Sequence, residues 1–237
     1  MPKSKPRRTG MLRSEVNEIL RQAIAFCREM NFHLPAFAHW SPLRWKQAGH
    51  EYDEIRANRL GWDVTDFGKG DFTRIGLSLF TVRNGNPAAL GEQDKTYCEK
   101  VLIVGEHQVT PYHFHRSKME DIICRAGAKL CVQVYSPKKD GTLDVKSPVT
   151  VTVDGRRFEV PAGTIVELHP GESITLPSYQ YHQFWAEGGT SLTGEVSKVN
   201  DDEKDNFFLP ELKVGRFPKI RKDVDPVHLL CWEYPSA

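Results

Sequence analysis

The chain has 237 residues, 39% of them apolar and 27% charged, a soluble, globular composition that fits one large domain or one domain with an extension. Lys+Arg (32) and Asp+Glu (31) nearly cancel, to a net charge of +1, which argues against a dedicated nucleic-acid binder. No apolar run approaches the roughly 20 residues that span a bilayer, so a membrane is not an expected partner either.

In chain order, residues 1–11 read as a disordered basic leader carrying Lys3, Lys5, Arg7 and Arg8. No apolar stretch follows it, so it does not read as a secretory signal. From Ser14 to Met30, Val16, Ile19, Leu20, Ala23, Ile24 and Cys27 recur at a 3.6-residue period, which predicts an amphipathic helix with Ser14 as its cap. Ser41-Pro42 marks a second helix start, with Pro at the first helical position. Asp53 to Leu60 reads as a short third helix. The intervening Phe32, His33, Phe37, His39 and Trp40 read as packing between helix and body. Residues 12–77 are therefore expected to form a helical extension.

From residue 78 to 199 the pattern changes to strands. Val149, Val151 and Val153 alternate with Thr150 and Thr152, Asp154-Gly155 is a two-residue hairpin turn, and Phe158 and Val160 continue on the return strand. Turn glycines at 155, 163 and 171 recur every eight residues. Short, evenly punctuated strands predict an antiparallel sandwich or barrel. Residues 200–237 read as an acidic loop at the barrel mouth followed by a tail. Phe217, Leu229, Leu230, Trp232 and Tyr234 must bury there, on the barrel or at a subunit interface. The five cysteines are odd in number, widely spaced and without a CxxC, so reduced thiols in the cytoplasm are expected.

The chemistry concentrates at His113, His115 and Glu120. Positions i and i+2 share a face only on a strand, so the HxH pair predicts two imidazoles directed inward. A turn through Lys118 would return Glu120 to the same space, and His182 supplies a third imidazole. Three neutral imidazoles and one carboxylate suit Mn(II), Fe(II), Co(II), Ni(II) or Zn(II). Around an octahedral ion they leave two positions open for substrate oxygens, whereas a closed structural zinc site more often uses Cys.

These residues resemble the two cupin motifs: His113-x-His115-x4-Glu120-x6-Gly127, then Gly171-x5-Pro177-x4-His182. Gly105 lies two residues farther from His113 than is usual, Tyr179 stands where many cupins have Gly, and Ala186 where many have Asn. The resemblance narrows with Arg13 to Pro42, Gly61-Trp-Asp-Val-Thr-Asp-Phe-Gly68, Thr110 to Asp121, and Gly194-Glu-Val-Ser197 with Asn200-Asp-Asp202 and Asp205-Asn206. Together, from about residue 12 onward, they look like the D-lyxose isomerase family. That resemblance implies a mainly β fold: a cupin-type antiparallel barrel (double-stranded β-helix, or jelly roll) with the N-terminal α-helical extension. It also implies a cytoplasmic homodimer, a manganese cofactor and a monosaccharide substrate, D-lyxose or D-mannose.

An aldose–ketose isomerase moves hydrogen between C1 and C2 of an open-chain sugar. A divalent ion can polarise the carbonyl, a base must carry the proton, and a cation must meet charge on oxygen. Lys118, held between His115 and Glu120, is the candidate cation, against a lysine in a hairpin turn facing water. Glu195 is the candidate base, against an exposed strand carboxylate or a partner of another site residue. Asp205, with Asp201 and Asp202, is a candidate for binding sugar hydroxyls. Of Phe184 and Trp185, alternation sends one to the pocket and one to the core, and Trp185 is carried forward as the substrate contact. The competing readings are a cupin phosphosugar isomerase, an iron-dependent dioxygenase and a non-catalytic sugar-binding module. Arg116, Arg156 and Arg157 do not cluster as a phosphate site would require.

Overall fold

The computed structural model describes residues 10–86, 94–202, 204–215 and 219–237. Most of the expected basic leader, residues 1–9, and Phe217 lie outside the described residues. Three helices come first: α1 (Arg13–Glu29), α2 (Pro42–Lys46) and α3 (Asp53–Ala57). Val16, Leu20, Ala23 and Cys27 form the buried stripe of α1, as the helical period requires. The helix starts one residue before Ser14. Leu12 is the cap position, and its amide donates to Glu15 Oε2 at 2.8 Å, while Ser14 faces outward to Asp223. Ser41 caps α2 as expected, its hydroxyl accepting from the Arg44 amide at 3.2 Å.

The strands are β1 (Gly61–Thr65), β2 (Leu77–Arg83), β3 (Tyr97–Val104), β4 (Thr110–His115) and β5 (Glu120–Pro137). They continue as β6 (Val149–Val153), β7 (Arg156–Val160), β8 (Ile165–Leu168), β9 (Ser173–Leu176), β10 (Tyr181–Lys198) and β11 (Asn206–Phe208). Hydrogen bonding orders them β1-β2-β3-β10-β5-β9-β6-β7, all antiparallel, with β4 also on β10, β8 on β5 and β11 on β4. Among the described residues the two ends of this path do not pair, so the barrel is open. Two segments depart from the sequence reading. Gly61–Thr65, expected within the helical extension, is the edge strand. Asn206–Phe208, expected as mouth loop, pairs with β4.

The architecture hangs on β5 and β10, 18 residues each. One half of β10 pairs with β3, the other with β4, and it pairs with β5 along both halves. The corner falls between Glu187 and Ser191, where the register shifts and Gly188 and Gly189 take φ of +85° and +130°. The expected hairpin at Asp154-Gly155 has φ of +48° and +78°, the all-positive pair of a type I′ turn.

Alternation on the first sheet sets two faces. Trp62 and Val64 of β1, Phe80 of β2, and Val101 and Ile103 of β3 pack under α1. Asp63, Leu79, Lys100 and Leu102 turn to the interior, where the site lies. Phe37 packs on Phe80 with ring centroids 5.2 Å apart, so the aromatic cluster after α1 joins helix to barrel as expected. Much of the tail buries on the same body, but Trp232, expected to bury, is 39% exposed. Leu230 bridges to Trp62, and Tyr234 stacks on Trp45 with centroids 3.8 Å apart.

Candidate metal centre and active site

β4 places His113 and His115 on one face, and antiparallel pairing sets His182 of β10 opposite His113. Glu120 opens β5 after a four-residue turn. All four side chains are buried, with ligand atoms within 4.8 Å of one another. His115 Nε2 and His182 Nε2 each lie 3.2 Å from Glu120 Oε1. Neighbouring donors about 2.1 Å from one ion are separated by roughly 3 Å, so the spacing fits shared coordination.

The ring nitrogens agree with that use. His113 Nδ1 meets the Pro111 carbonyl at 2.8 Å, and His182 Nδ1 meets the Gln180 carbonyl at 3.1 Å. Each carbonyl takes the Nδ1 proton and leaves Nε2 as a lone pair. His182 Nε2 is a buried polar atom with no hydrogen-bond partner, as a ligand awaiting a cation would be. Burial, and then its histidine neighbours, hold His113 well below the ordinary imidazole range; burial also lowers His115. Both rings are therefore held neutral, as metal ligands must be. Burial opposes the charge on Glu120, but His115 and Lys118 outweigh it and keep the carboxylate ionised. A buried cluster of His113, His115, Glu120 and His182 could thus bind a metal ion.

Lys118, 2% exposed, points inward rather than to water, with Nζ 2.9 Å from Glu120 and 2.7 Å from Glu195. Burial would strip its proton; Glu120 and Glu195 reverse that and raise its pKa above the ordinary lysine value. Glu195 sits in the same cavity, of about 70 Å³, and is not an exposed strand carboxylate. Burial would protonate it, but Lys100 and Lys118 hold it below the usual carboxylate range.

Of the other expected contacts, Asp202 lines the cavity with Oδ1 3.8 Å from Lys100 Nζ, whereas Asp205 and Trp185 stand outside it. Asp205 Oδ1 accepts from the Ser117 amide and hydroxyl at 2.8 and 2.6 Å, and Oδ2 from the Lys118 amide at 3.0 Å. Its carboxylate pins the turn that carries Lys118, with Oδ2 3.9 Å from His115 Nδ1. Trp185 is turned out of the cavity. Strand alternation sends His182 and Phe184 inward, and the Trp185 indole donates outward to Glu187 at 2.9 Å.

The sequence reading missed Lys100 and Asn200. Lys100 lies directly across β3–β10 from Glu195, with Nζ 3.1 Å from Oε1 and 2.8 Å from Asn200 Oδ1. Asn200 Oδ1 also accepts from Lys118 Nζ at 3.3 Å. The Asn84 side-chain amide fixes the Asn200 backbone, Oδ1 accepting from its N–H at 3.0 Å and Nδ2 donating to its carbonyl at 3.1 Å. Lys100 at the head of the apolar run Val101–Val104 was the available signal for it, and Asn200 stood, without a role, in the Asn200-Asp-Asp202 segment of the family resemblance. A second group within ligand distance, Cys131, Glu167 and Glu187, already holds a cation, because Lys129 Nζ reaches both carboxylates at 2.8 and 3.2 Å.

A family model described as D-lyxose isomerase matches residues 11–234. The chain is 48% identical over 225 residues to a D-lyxose/D-mannose isomerase of Serratia proteamaculans, covering 93% of this chain and 96% of that protein. It is 44% identical to a D-lyxose/D-mannose isomerase of Escherichia coli O157:H7, covering 94% and 98%. Among solved structures, an L-ribose isomerase of Acinetobacter sp. DL28 in complex with L-ribose is similar in fold, with TM-score 0.59 at 16% identity over 91% of this chain and all of that one. An L-ribose isomerase of Cellulomonas parahominis gives TM-score 0.59 at 18% identity, over 90% of this chain and 100% of that one.

Proposed function

The chain belongs to the D-lyxose isomerase family, and on that premise we propose that it is a metal-dependent aldose–ketose isomerase interconverting D-lyxose and D-xylulose, and D-mannose and D-fructose. The observation that carries the reading is the placement of an ionised carboxylate, Glu195, and an ammonium, Lys118, beside the buried His113, His115, Glu120 and His182 cluster in one cavity. Manganese is the ion favoured by the family resemblance, and the donor set suits it along with Co(II), Fe(II), Ni(II) and Zn(II). A cytoplasmic homodimer belongs to the same proposal.

The four ligands would hold the ion, which supplies Lewis-acid polarisation of the sugar carbonyl. Glu195 takes the C2 proton and returns it at C1, by way of an enediol. Its ionised state at neutral pH is what a base requires, and the two lysines maintain it. Lys118 meets the charge that develops on oxygen, from inside a cavity where water does not screen it. Asp205 acts one step away, by fixing the Ser117–Lys118 backbone from which the ammonium is aimed.

The test is turnover of D-lyxose by metal-stripped protein in D2O, before and after Mn(II), followed by NMR. Xylulose formed only with the ion, carrying deuterium at C1, supports the proposal. Product without solvent deuterium would replace the proton shuttle by a direct hydride shift. No ketose from either aldose would overturn the function.

A further inference from the structure

Among the polar groups that line the cavity, two described ones outside the metal cluster are buried without a partner. Thr110 is 3% exposed, and its Oγ1 has no hydrogen-bond partner. Asn206 Oδ1 is buried and unpartnered as well. Both residues line the cavity that holds Lys118 and Glu195. Thr110 opens β4, across from Phe184, while Asn206 opens β11 and pairs with His115.

Among the described residues, five buried side-chain polar atoms lack a partner: Thr110 Oγ1, Asn206 Oδ1, His115 Nδ1, His182 Nε2 and Gln180 Oε1. Thr110 Oγ1 and Asn206 Oδ1 belong to the cavity, His182 Nε2 faces the metal cluster beside it, and His115 Nδ1 faces Asp205 on the far side of its ring. Folded proteins pair nearly all such atoms, because an unpaired one forfeits its hydration with no return. Two such oxygens on the wall of one cavity point to an occupant that completes them.

The occupant's chemistry follows from the two atoms. An amide oxygen only accepts, so Asn206 requires a donor. A carbonyl or phosphate oxygen cannot serve it. The Thr110 hydroxyl both donates and accepts. A hydroxyl group satisfies either position: water's in the sugar-free protein, an alcohol's when a polyol displaces it. The neighbouring walls are apolar, with Phe67, Leu79, Leu102, Phe184 and Phe208, and suit the C–H faces of a polyol.

We propose that Thr110 Oγ1 and Asn206 Oδ1 bind hydroxyls of the open-chain sugar, and that Thr110 is a specificity-determining residue of the site. The inference rests on the sugar-isomerase reading above. It assigns substrate recognition to two residues whose buried oxygens make no hydrogen bond to the proton-transfer pair.

Thr110→Val tests it by exchanging a hydroxyl for a methyl of the same shape. Binding of D-lyxose is measured by calorimetry in metal-loaded Glu195→Gln protein, where the sugar is not consumed, with and without Thr110→Val. The expected result is about tenfold weaker binding, the loss of one neutral hydrogen bond. The same fold rise is expected in KM when Glu195 is intact. The penalty should vanish for one member of a set of deoxy-lyxoses, the one lacking the hydroxyl that Thr110 meets. Without sugar, Thr110→Val should melt at or above the parent temperature, because it removes an unpaired hydroxyl. Asn206→Leu should weaken D-lyxose binding to a similar degree.

Unchanged affinity in Thr110→Val overturns the inference. So does a uniform penalty across all deoxy sugars with a lowered melting temperature, which would make Thr110 structural. A parent protein that binds D-lyxose but forms no ketose would refute the isomerase reading while leaving Thr110 to be judged by binding. A parent that binds no sugar overturns both.

Discussion

Lys100→Met removes one of the two ammonium groups on Glu195 while keeping the apolar stem of the side chain. Lys100 Nζ lies 3.1 Å from Glu195 Oε1, with side chains 4% and 6% exposed. At that separation and an effective dielectric constant near 20, the direct attraction is about 5 kcal/mol. Desolvation of the ammonium offsets part of it, and breaking a buried pair outright costs about 3–5 kcal/mol. Glu195 keeps Lys118 at 2.7 Å, so its charge is not left bare. The expected destabilisation therefore falls at or below the bottom of that range, at about 2–3 kcal/mol, which for a chain of this size lowers the melting temperature by about 4–12 °C. Turnover should fall further than stability suggests, because Glu195 loses the cation that fixes both of its oxygens. We expect kcat on D-lyxose to drop about 10- to 100-fold, with KM within about threefold and metal content unchanged, the signature of an interaction used mainly in the transition state. Circular dichroism melts, steady-state kinetics and elemental analysis on the same preparation measure all three. A variant with parental kcat and an unshifted melt would refute the role given to the Lys100–Glu195 pair.

His182→Ala should abolish both activity and stoichiometric metal uptake, read by elemental analysis after dialysis; full activity with bound metal would remove His182 from the ligand set. Gly61→Ala places a methyl 1.9 Å from the Tyr234 hydroxyl at φ +119°, and should cost about 2–4 kcal/mol, seen as a lower denaturation midpoint. An unchanged midpoint would mean that the tail is not held against β1. The metal-free protein should lose stability on acidification from pH 7.5 to 5.5. His113 and His115 have pKa values depressed by burial, whereas in the unfolded chain they protonate near about 6.5. Below that value the unfolded state binds protons that the folded state refuses, so stability falls with pH by up to about 1.4 kcal/mol per unit for each ring. Glu120, also depressed, contributes its loss only as the pH drops below the ordinary carboxylate range, outside this window. A melting temperature flat between pH 7.5 and 5.5 would contradict neutral, buried rings.

The metal cluster was legible because three of its four members obey one local rule. His113 and His115 share a face by strand alternation, and Glu120 follows after a turn too short to carry it elsewhere. Lys118 was legible for the same reason, trapped between them. Glu195 required a guess about phase along β10, and Lys100 required knowing that β3 pairs with β10 in the register that opposes those two residues. Neither follows from local pattern, since the register is set by the whole sheet. Trp185 shows the cost of leaving phase open: a one-residue step on a strand exchanges pocket for exterior. Asp205 was the right residue to notice, but a carboxylate near a mouth looks the same in sequence whether it binds a ligand or two backbone amides. The helical period located α1 to within one residue, while its cap was missed because Glu15 reaches back to Leu12 and competes with Ser14 for that role. Gly61–Thr65 was absorbed into the helical extension because it is too short to show alternation against its surroundings.

The contacts of α1 carry a consequence for how the chain is made. Ser14 bonds to Asp223, Asn17 to Asp225 and Val227, and Arg13 to Glu233, a partner 220 residues away. At about 5–20 residues per second, the ribosome delivers that partner roughly 10–45 s after the helix. Through that interval one face of the first helix has no permanent neighbour, and the edge strand waits for Leu230 and Tyr234. Closure of the two ends against each other is then the late, cooperative step of biosynthesis, and the step at which a nascent chain of this topology is most in need of a chaperone.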